Sequence, residues 1–483
     1  MDALRSPRID CEHHTVASRL QTRKRMKGYV PTPDATVDLM VDKLLRDVVV
    51  GASTRILDAG CGPGAFIHGL LRWCARHGRG TPRIDGIELD PAHARVARAS
   101  FHARRGVAIR EADFLRSPAQ PTYDLVVANP PYVSITGLSE AERLEYRRVF
   151  ATASGRFDLY MLFFEHALAM LRPGGRLVFI TPEKFLYVAS AEPLRRLLGR
   201  WQVEELHLLD ERTFGNLVTY PLVTTVRKVP ANAATTVIAR DGRRRDVDLA
   251  GRIGSWLPLV EGATVGAPSL TLGEACLRIS CGVATGADAV FVMPAGELPA
   301  ALRRFARPTI AGRQLLGTDV RAPRDVMLLP YDDRGVLVPE SKLGALGRFL
   351  AQSGHRERLL RRTCARAKPW YAFHETPQLT DMARPKILCK DIGSEPRFVI
   401  DAEGDVVPRH SVYYLVPRDP DMLAPLAAYL NSAPAGDWLR ANCQRAANGF
   451  LRLQSNVLKR MPVPDSFRPA GIPAQAELTL PAA

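Results

Sequence analysis

The segment RILDAGCGPGAF, residues 55–66, decides the fold of this chain. A short apolar run leads into Asp58, glycines follow at positions 60, 62 and 64, and an apolar run with helical spacing then resumes. Glycines at a strand-to-helix turn let the backbone bend sharply and approach a ligand closely. Several kinds of nucleotide-binding fold use such a turn, so the segment predicts a strand, a tight loop and a helix but leaves the ligand open.

The neighbouring segments extend this unit into a repeating pattern. Upstream, DATVDLMVDKLLRD at 34–47 has the spacing of an amphipathic helix, with Asp34 as its expected cap. Downstream, the apolar runs IDGIEL, YDLVVANPP and GRLVFITP alternate with the helix-like AFIHGLLRWCARHG and DLYMLFFEHALAMLRPGG. This alternation predicts an α/β domain with a parallel sheet and right-handed crossovers.

The pattern changes at PANAATT, residues 230–236, which has the composition of a linker. Beyond it, short β-like runs (CLRISCGV, AVFVM, RFVI, SVYYLV) precede a helical ending from about Asp421 to Asn448. The length of 483 residues fits two or three domains. We therefore expect four segments: an extension at 1–25, the α/β domain at 26–230, an α+β domain at 237–466, and a loose tail at 467–483.

Composition restricts the partners and the compartment. The chain has 66 Lys and Arg against 50 Asp and Glu, and its net charge of +16 favours a polyanionic partner. The eight cysteines form no CxxC pair and have no zinc-ligand spacing, so we expect reduced thiols and no metal. The N-terminus lacks a signal-peptide core and no apolar run is long enough to span a membrane, which predicts a cytoplasmic protein.

The ends of the first three predicted strands carry acidic side chains in a fixed order. After Asp58, the second strand ends in GIELD with Glu88, where a carboxylate can accept hydrogen bonds from both ribose hydroxyls of an adenosine. The third run, EADFL, offers Asp113 to an adenine amino group and Phe114 to the ring face. Each acid alone is better explained as a loop acid or a helix cap. Their order along one edge of a parallel sheet predicts an adenosine pocket.

The fourth predicted strand ends in ANPPY, residues 128–132. The two prolines stop the strand and stiffen the loop. An aromatic amine that attacks a methyl sulfonium needs acceptors for its hydrogens, because they localise the nitrogen lone pair. The amide oxygen of Asn129 and the carbonyl of Pro130 are suitable acceptors. Tyr132 is then expected to stack on the target base.

These motifs in this order, KGYVPTP, LDAGCGPGAF, GIELDP, EADFL, ANPPY and FDLYMLFFEHALAMLRPGGRLVFITP, resemble the γ-class, TaqI-like adenine-N6 DNA methyltransferases of restriction-modification systems. The resemblance implies a class I, Rossmann-like S-adenosylmethionine-dependent methyltransferase domain followed by an α+β DNA target-recognition domain. It implies S-adenosylmethionine as cofactor and double-stranded DNA as partner, with association with the bacterial or archaeal nucleoid through DNA.

The resemblance also assigns roles to individual residues. The motif KGYVPTP matches the family's N-terminal cofactor element, and within it Thr32 is expected to contact the methionine part of the cofactor. The expected cofactor-binding residues are Thr32, Asp58, Gly60, Gly62, Gly64, Glu88, Asp113 and Phe114. The expected catalytic residues are Asn129, Pro130, Pro131, Tyr132 and Phe214. Phe214 would face the flipped base opposite Tyr132, and Tyr220 is the alternative for that place.

The second half resembles the TaqI-like specificity domain in AGRQLLGTDV, KPWYAF, RPKILCKDI, LAAYLNS and LKRMPVP. Independently, HRERLLRRTCARAKPWYAF joins a basic helix to Trp370, Tyr371 and Phe373, a combination that suits phosphate contact and groove insertion. A solvated charged helix with core aromatics after it is the alternative. The residues expected at DNA are Arg313, Arg361, Arg362, Lys368 and Trp370.

Other functions share part of this pattern. A protein-glutamine methyltransferase also uses an NPPY loop, and an RNA base methyltransferase or a non-catalytic DNA-binding subunit could keep the same fold. Glutamine methyltransferases lack the KGYVPTP element and a basic C-terminal module, and an intact NPPY argues against a non-catalytic subunit. We find no nuclease constellation after residue 230, so a restriction endonuclease is expected to be a separate protein.

Overall fold

A computed structural model describes residues 28–215, 219–262, 270–315, 324–446 and 449–469. The expected extension at 1–25, Lys27 and residues 470–483 of the expected tail lie outside the described residues. The chain divides into two compact units, Met1–Gly262 and Ala263–Ala483. Among the described residues, no helix is long and apolar enough to cross a membrane.

The first unit contains one sheet with helices on both faces. Its helices are α1 (Asp34–Leu45), α2 (Ala65–Arg76), α3 (Pro91–Phe101), α4 (Glu140–Val149), α5 (Leu159–Met170), α6 (Glu192–Leu198) and α7 (Leu257–Glu261). Its strands are β1 (Arg55–Ala59), β2 (Arg83–Glu88), β3 (Val107–Glu111), β4 (Tyr123–Ala128), β5 (Leu171–Pro182), β6 (Trp201–Leu208), β7 (Pro221–Pro230), β8 (Thr235–Ile238) and β9 (Arg244–Val247).

The described strands of this unit form one sheet in the order β3-β2-β1-β4-β5-β7-β6-β8-β9. Strands β1 to β5 are parallel, whereas β7 lies antiparallel between β5 and β6. The chain moves from β1 out to β3 and returns to place β4 on the other side of β1. The carboxyl ends of β1 and β4 therefore form the switch point at which such sheets bind ligands. The predicted α/β fold is confirmed.

Alternating side chains bury both faces of this sheet. Ile56 of β1 and Val127 of β4 join the cluster under α1 and α2. Leu57 and Val126, one residue away in each strand, join the cluster with α5 on the opposite face. Since successive strand residues point to opposite faces, near-continuous apolar strands are what a sheet covered on both sides requires.

Local boundaries differ from the expected ones where proline and glycine interrupt the pattern. Helix α1 begins at Asp34 itself, and its cap position is Pro33, which makes no side-chain cap bond. Helix α5 ends at Met170, and the RPGG sequence that the helical pattern had included opens β5. Pro173 cannot continue a helix, because it lacks the backbone N–H and its ring clashes with the preceding turn.

The expected boundary at 230–237 is wrong, because the first unit continues to Gly262. Strand β8 pairs in parallel with β6, and β9 pairs with β8, so both extend the main sheet. Trp256 and Val260 are buried in the α5-side cluster. The Arg195 guanidinium, itself buried, donates to the carbonyl of Gly254 at 2.7 Å. The PANAATT segment is thus a connection within the sheet.

The second unit is α+β, as expected. Its strands are β10 (Cys276–Cys281), β11 (Val292–Pro294), β12 (Ala306–Ile310), β13 (Asp325–Leu328), β14 (Lys386–Lys390), β15 (Ile392–Gly393), β16 (Phe398–Asp401), β17 (Val407–Pro408), β18 (Val412–Pro417), β19 (Gln444–Arg445) and β20 (Leu451–Arg452). Its helices are α8 (Leu272–Ala275), α9 (Asp288–Phe291), α10 (Ala345–Leu350), α11 (Ser353–Leu360), α12 (Leu379–Met382), α13 (Leu423–Leu430), α14 (Ala433–Asn442) and α15 (Ser455–Leu458).

The described strands of the second unit form three small sheets, ordered β10-β18-β14-β16, β11-β13-β12-β17 and β15-β20-β19. The run AVFVM, expected as a strand, is divided between α9 and β11. Phe467, placed in the expected loose tail, is buried among the side chains that pack on α13 and α14. The compact unit therefore extends past residue 466.

Candidate active site

The loop between β1 and α2 has a backbone that only glycine adopts easily. Gly60, Gly62 and Gly64 have φ angles of +84°, +54° and +101°, in the region that side chains disfavour. A Cβ at Gly64 would lie 2.4 Å from the ring of Phe101, so the loop also packs too closely for a side chain there. The N–H of Gly60 donates to the carbonyl of Ile87 at 2.9 Å, which ties the loop to β2.

Glu88, at the end of β2, is hydrogen-bonded to the glycine-rich loop. One carboxylate oxygen accepts the N–H of Gly62 at 2.8 Å, and the other accepts the N–H of Asp90 at 2.6 Å. The side chain is half-buried, and each oxygen retains acceptor capacity beyond these bonds. The adjacent Leu89 is 59% exposed beside this carboxylate. The glycine loop, Glu88 and an apolar side chain thus meet at one strand end.

Asp58 is the least solvated acid of the site. It is fully buried at the end of β1, and neither carboxylate oxygen has a hydrogen-bond partner among the described residues. Burial and the nearby Glu88 carboxylate raise the pKa of Asp58 well above its usual range. A buried acceptor without a partner costs free energy, and such groups occur where a ligand completes them. This carboxyl is suited to a cationic group.

Asp113 and Phe114 follow β3, but their side chains are engaged within the unit. The Asp113 carboxylate accepts the N–H of Leu115 at 3.0 Å and caps a single 3-10 turn. Phe114 is 3% exposed and packs with Phe163 and His166, at ring-centroid distances of 4.8 Å to each. The Phe114 ring therefore packs mainly on the core, and its expected contact with an adenine face stays a prediction. Leu89, after the end of β2, is by contrast an exposed apolar side chain.

Asn129, directly after β4, is held by the segment Gly28–Pro33. Its amide nitrogen donates to the carbonyl of Val30 at 2.9 Å and to the hydroxyl of Thr32 at 3.0 Å. Its amide oxygen is buried and has no partner among the described residues. The Thr32 hydroxyl therefore contacts the Asn129 amide nitrogen. The site presents one fixed amide oxygen as an uncommitted acceptor.

The remainder of the NPPY loop is fixed by packing. Pro130 is buried, whereas Pro131 and Tyr132 are half-buried. The Tyr132 hydroxyl donates to the carbonyl of Ile180 at 3.4 Å, and its ring meets Tyr160 edge-on, with the centroids 6.5 Å apart. Burial raises the pKa of the Tyr132 phenol, which therefore stays neutral. The ring is positioned as an apolar surface.

Phe214 and Tyr220, the two aromatics considered for the second stacking position, are both half-buried. Phe214 packs against the cluster under α1 and α2. The Tyr220 ring lies 5.3 Å from the guanidinium carbon of Arg240, and its carbonyl accepts the N–H of Glu183 at 2.8 Å. A base that stacked on this face of Tyr220 would therefore have to displace Arg240.

In the second unit, the predicted DNA-binding residues differ in accessibility. Arg313 and Arg361 are exposed, and Lys368 and Trp370 are half-buried. Arg362 is only 9% exposed and donates to the carbonyls of Leu359, Thr285 and Trp370. The prediction of phosphate contact by Arg362 is corrected, because its guanidinium is already occupied inside the unit.

The aromatics after the basic helix are also mostly internal. Tyr371 and Phe373 are buried in the cluster around β13. Trp370 remains partly accessible, with Arg356 5.3 Å from its ring. Groove insertion by Tyr371 or Phe373 is therefore excluded by their burial, and only Trp370 stays a candidate.

A cavity of about 360 Å³ lies between the end of α1 and strands β5 to β9, beside Arg176 and Glu205. Its charges are largely paired with one another: Lys43 binds Glu205, and Arg176 binds Glu204 at 2.9 Å. The NPPY loop and the glycine-rich loop do not line it. Among the described residues, no cluster of His, Cys, Asp or Glu could hold a metal ion.

Sequence reasoning assigned no individual role to Tyr29, Val30 or Leu89. The Tyr29 ring approaches Gly62, where a Cβ would lie 3.1 Å from it, and it packs on His93 with centroids 4.4 Å apart. Val30 acts through its carbonyl, which no side-chain pattern reveals. For Tyr29 a signal existed, since it lies within KGYVPTP. Leu89 adjoins the predicted Glu88 and could have been found as an apolar residue beside a strand-end acid.

The chain is similar in sequence to restriction-modification methyltransferases. The model of the Eco57I restriction-modification methylase family matches residues 86–214. The type II methyltransferase M.PaeR7I of Pseudomonas aeruginosa is 27% identical over 475 residues, which cover 85% of this chain and 81% of that protein. The type II methyltransferase M.TthHB8I of Thermus thermophilus is 32% identical over 227 residues, covering 45% of this chain and 49% of that protein.

Among solved structures, the fold is similar to that of the DrdV–DNA complex, with a TM-score of 0.51. The sequence identity is 14%, and the match covers 88% of this chain and 55% of the solved chain. At this identity the likeness concerns the fold alone. The chain spans little more than half of that larger protein.

Proposed function

This chain belongs to the type II restriction-modification DNA methyltransferases, and from that premise we propose that it methylates the N6 amino group of adenine in duplex DNA at a specific site. The proposal has three parts: the cofactor, the target atom and the recognition unit. Each part rests on a different group of described residues.

One observation carries the choice of target chemistry, namely the amide of Asn129. Its nitrogen donates to two acceptors, and its buried oxygen has no partner among the described residues. An exocyclic amine becomes nucleophilic when acceptors take up its hydrogens, since its lone pair is then less delocalised into the ring. The Asn129 oxygen and the Pro130 carbonyl are the acceptors we assign to the amine.

The cofactor part is S-adenosylmethionine, which supplies a methyl group bound to a positively charged sulfur. Asp58 would hold the ammonium of its amino acid end, because this carboxylate is buried and has no described partner. Glu88 would accept the ribose hydroxyls, and the glycine loop would leave room for the chain between them. Leu89 would cover the adenine, beside Asp113. These residues fit the group in charge and in hydrogen-bonding capacity.

We choose adenine over cytosine because the first residue of the loop is Asn129 in an NPPY sequence of γ order, a combination that resembles the adenine enzymes. A target base in the duplex must leave the stack to reach a loop at the end of a sheet. That step costs a few kcal/mol, and stacking on an aromatic ring returns roughly 1 to 3 kcal/mol. Tyr132, with Phe214 on the other face, is the pair we assign.

The second unit would recognise the target sequence. It offers exposed basic side chains at Arg313 and Arg361 and a partly accessible Trp370. Phosphate contacts position a protein on DNA and lend it salt-dependent affinity, whereas base edges give specificity. A separately encoded restriction endonuclease that cleaves the same site is the functional partner this assignment implies.

The test is the modified base itself. DNA from cells expressing the protein, and from cells expressing Asn129→Ala, is sequenced by single-molecule kinetics and digested for nucleoside mass spectrometry. We expect N6-methyladenine at one recurrent sequence only with the unchanged protein. N4-methylcytosine, methylated RNA, methylglutamine on a protein, or no modification at all would each overturn the proposal and identify the alternative in its place.

A further inference from the structure

The segment Gly28–Pro33 runs directly along the NPPY loop. The N–H of Tyr132 donates to the carbonyl of Gly28 at 3.2 Å. Gly28 has a φ of +65°, and a Cβ there would lie 2.9 Å from the Tyr132 nitrogen. Two and four residues further along, Val30 and Thr32 accept the hydrogen bonds from Asn129. The two segments are therefore joined at both ends of the NPPY motif.

The orientation of the Asn129 amide follows from these partners. A backbone carbonyl can only accept, so the amide atom 2.9 Å from the Val30 carbonyl must be the nitrogen. The amide has two N–H bonds, and Val30 and Thr32 use one each. The oxygen is then necessarily the free atom. Without the second acceptor, the nitrogen would keep one unbonded hydrogen and the side chain could rotate about its terminal torsion.

We propose that Thr32 is a positioning residue, whose hydroxyl fixes the Asn129 amide with its oxygen available to the target amine. This rests on the proposed function. It differs from the role that family resemblance implies for Thr32, contact with the methionine part of the cofactor, because it predicts an effect on the transfer step. The Tyr29 ring over Gly62 connects the same segment to the glycine-rich loop, so one short segment braces both halves of the site.

The experiment compares Thr32→Val, which keeps the branched shape and loses the acceptor, with Thr32→Ser, which keeps the hydroxyl. Single-turnover methylation at saturating cofactor and DNA should slow by about 10-fold or more in Thr32→Val, because misorientation of a positioned group costs on this scale. Thr32→Ser should recover most of the rate. Cofactor affinity, measured by calorimetry, should change less than about 2-fold in Thr32→Val.

A double variant isolates the coupling. Adding Thr32→Val to Asn129→Ala should leave the residual rate unchanged, since the amide that Thr32 orients is gone. If Thr32→Val slows transfer by the same factor in the Asn129→Ala protein as it does alone, Thr32 does not act through Asn129. A weaker cofactor affinity with an unchanged saturated rate in the single variant would return Thr32 to a purely cofactor-binding role and overturn the proposal.

A second readout does not depend on activity. In protein labelled with heavy nitrogen at asparagine, the Asn129 side-chain signal is assigned by its loss in Asn129→Ala, and its hydrogen exchange is followed. We expect protection in the unchanged protein and in Thr32→Ser, and faster exchange in Thr32→Val. Equal exchange in all three overturns the positioning role. If exchange behaves as expected but no DNA is methylated, the proposed function fails and the contact survives.

Discussion

The carboxylate of Glu88 accepts the backbone N–H of Gly62 at 2.8 Å, across the gap between the end of β2 and the glycine-rich loop. In the parallel register, Glu88 is paired with Glu111 of β3, whose side chain instead binds Arg98 at 3.2 Å. Two glutamates at neighbouring strand ends thus have different tasks. One braces the loop that would surround a cofactor, and the other forms a surface ion pair.

Glu88→Ala should weaken S-adenosylmethionine binding about 10- to 100-fold, the equivalent of losing a charge-assisted hydrogen bond of roughly 1.5 to 3 kcal/mol. Calorimetric titration measures the affinity. Glu111→Ala is the matched control, because it removes the same side chain one strand away and should leave affinity unchanged. A folded Glu88→Ala protein that binds as tightly as the control would refute the ribose assignment.

Asp58 should make cofactor binding release a proton. Burial and Glu88 raise the pKa of Asp58, which keeps this carboxyl protonated well above the usual aspartate range. An ammonium group placed beside it favours the charged form. At a pH at which the raised pKa still leaves Asp58 protonated, titration with S-adenosylhomocysteine, which has the amino acid end without the sulfonium, should release a proton. Repeating the titration in buffers of different ionisation enthalpy detects this release. Asp58→Asn should abolish the release, and an enthalpy independent of buffer in the unchanged protein would contradict this role.

The same shift predicts how stability depends on pH. A carboxyl whose pKa is higher in the folded than in the unfolded chain binds more protons when folded. Its contribution is present at low pH and is lost as the pH rises from the ordinary aspartate pKa through the raised one. Asp58→Asn has no such loss. In urea unfolding at a series of pH values, the variant should gain stability relative to the unchanged protein as the pH rises, and a constant difference would contradict the raised pKa.

The core of the first unit was predictable because its signals are local. The glycine turn, the strand-end acids and the proline stop after Asn129 each lie within a few residues of the element that they define. The boundary at 230–236 was misplaced because strand pairing is not local. Strand β8 pairs with β6. In this pairing Glu205 lies opposite Thr236, which is far from it in sequence. A linker between domains and a connection within a sheet can both be rich in small residues, so composition does not distinguish them.

Within the site, residue types and order predicted positions better than contacts. Phe114 stands at the expected strand end, but its ring faces inward, because Phe163 and His166 offer it an apolar surface. Arg362 lies in a basic run, yet its carbonyl partner at Thr285 comes from a segment 77 positions away. The Asn129 amide nitrogen is held by the carbonyl of Val30, a backbone group that every residue type has. Tertiary contacts of this kind leave no mark in a single sequence.

Arg361 and Arg362 provide a matched pair for the second unit. Arg361→Glu should weaken binding to all DNA sequences similarly and lower the slope of log affinity against log salt, as loss of a phosphate contact does. Arg362→Ala should instead lower the free energy of unfolding by about 2 kcal/mol or more, because it leaves carbonyls unpaired in the interior. Salt-titrated DNA binding and urea unfolding measure the two effects. Reversed outcomes would mean that the accessibility of the two arginines has been misassigned.

Asn129→Ala should slow methyl transfer severely while the protein still binds both cofactor and DNA. The substitution removes the acceptor for the target amine but no group assigned to the amino acid end or ribose of the cofactor. Loss of one such preorganised hydrogen bond costs on the order of 100- to 1000-fold in rate. Tritium transfer in single-turnover mode measures the rate, and gel shift and calorimetry measure the two affinities. A variant that retains the rate would exclude the amide oxygen as the acceptor.

The last prediction separates Phe214 from Tyr220 as the partner of Tyr132. A flipped base needs an apolar side chain against each of its two faces. The fluorescence of 2-aminopurine at the target position of a duplex brightens, that is, increases, when that base leaves the stack. Tyr132→Ala should reduce the brightening and slow transfer only partly, since stacking contributes about 1 to 3 kcal/mol per contact. Phe214→Ala should act similarly, because no described cation lies against its ring, whereas the Tyr220 ring faces Arg240 at 5.3 Å. Tyr220→Phe, which keeps the ring, should change nothing. If Tyr220→Ala lowers the fluorescence and Phe214→Ala does not, the stacking role passes to Tyr220, and Arg240 must move when DNA binds.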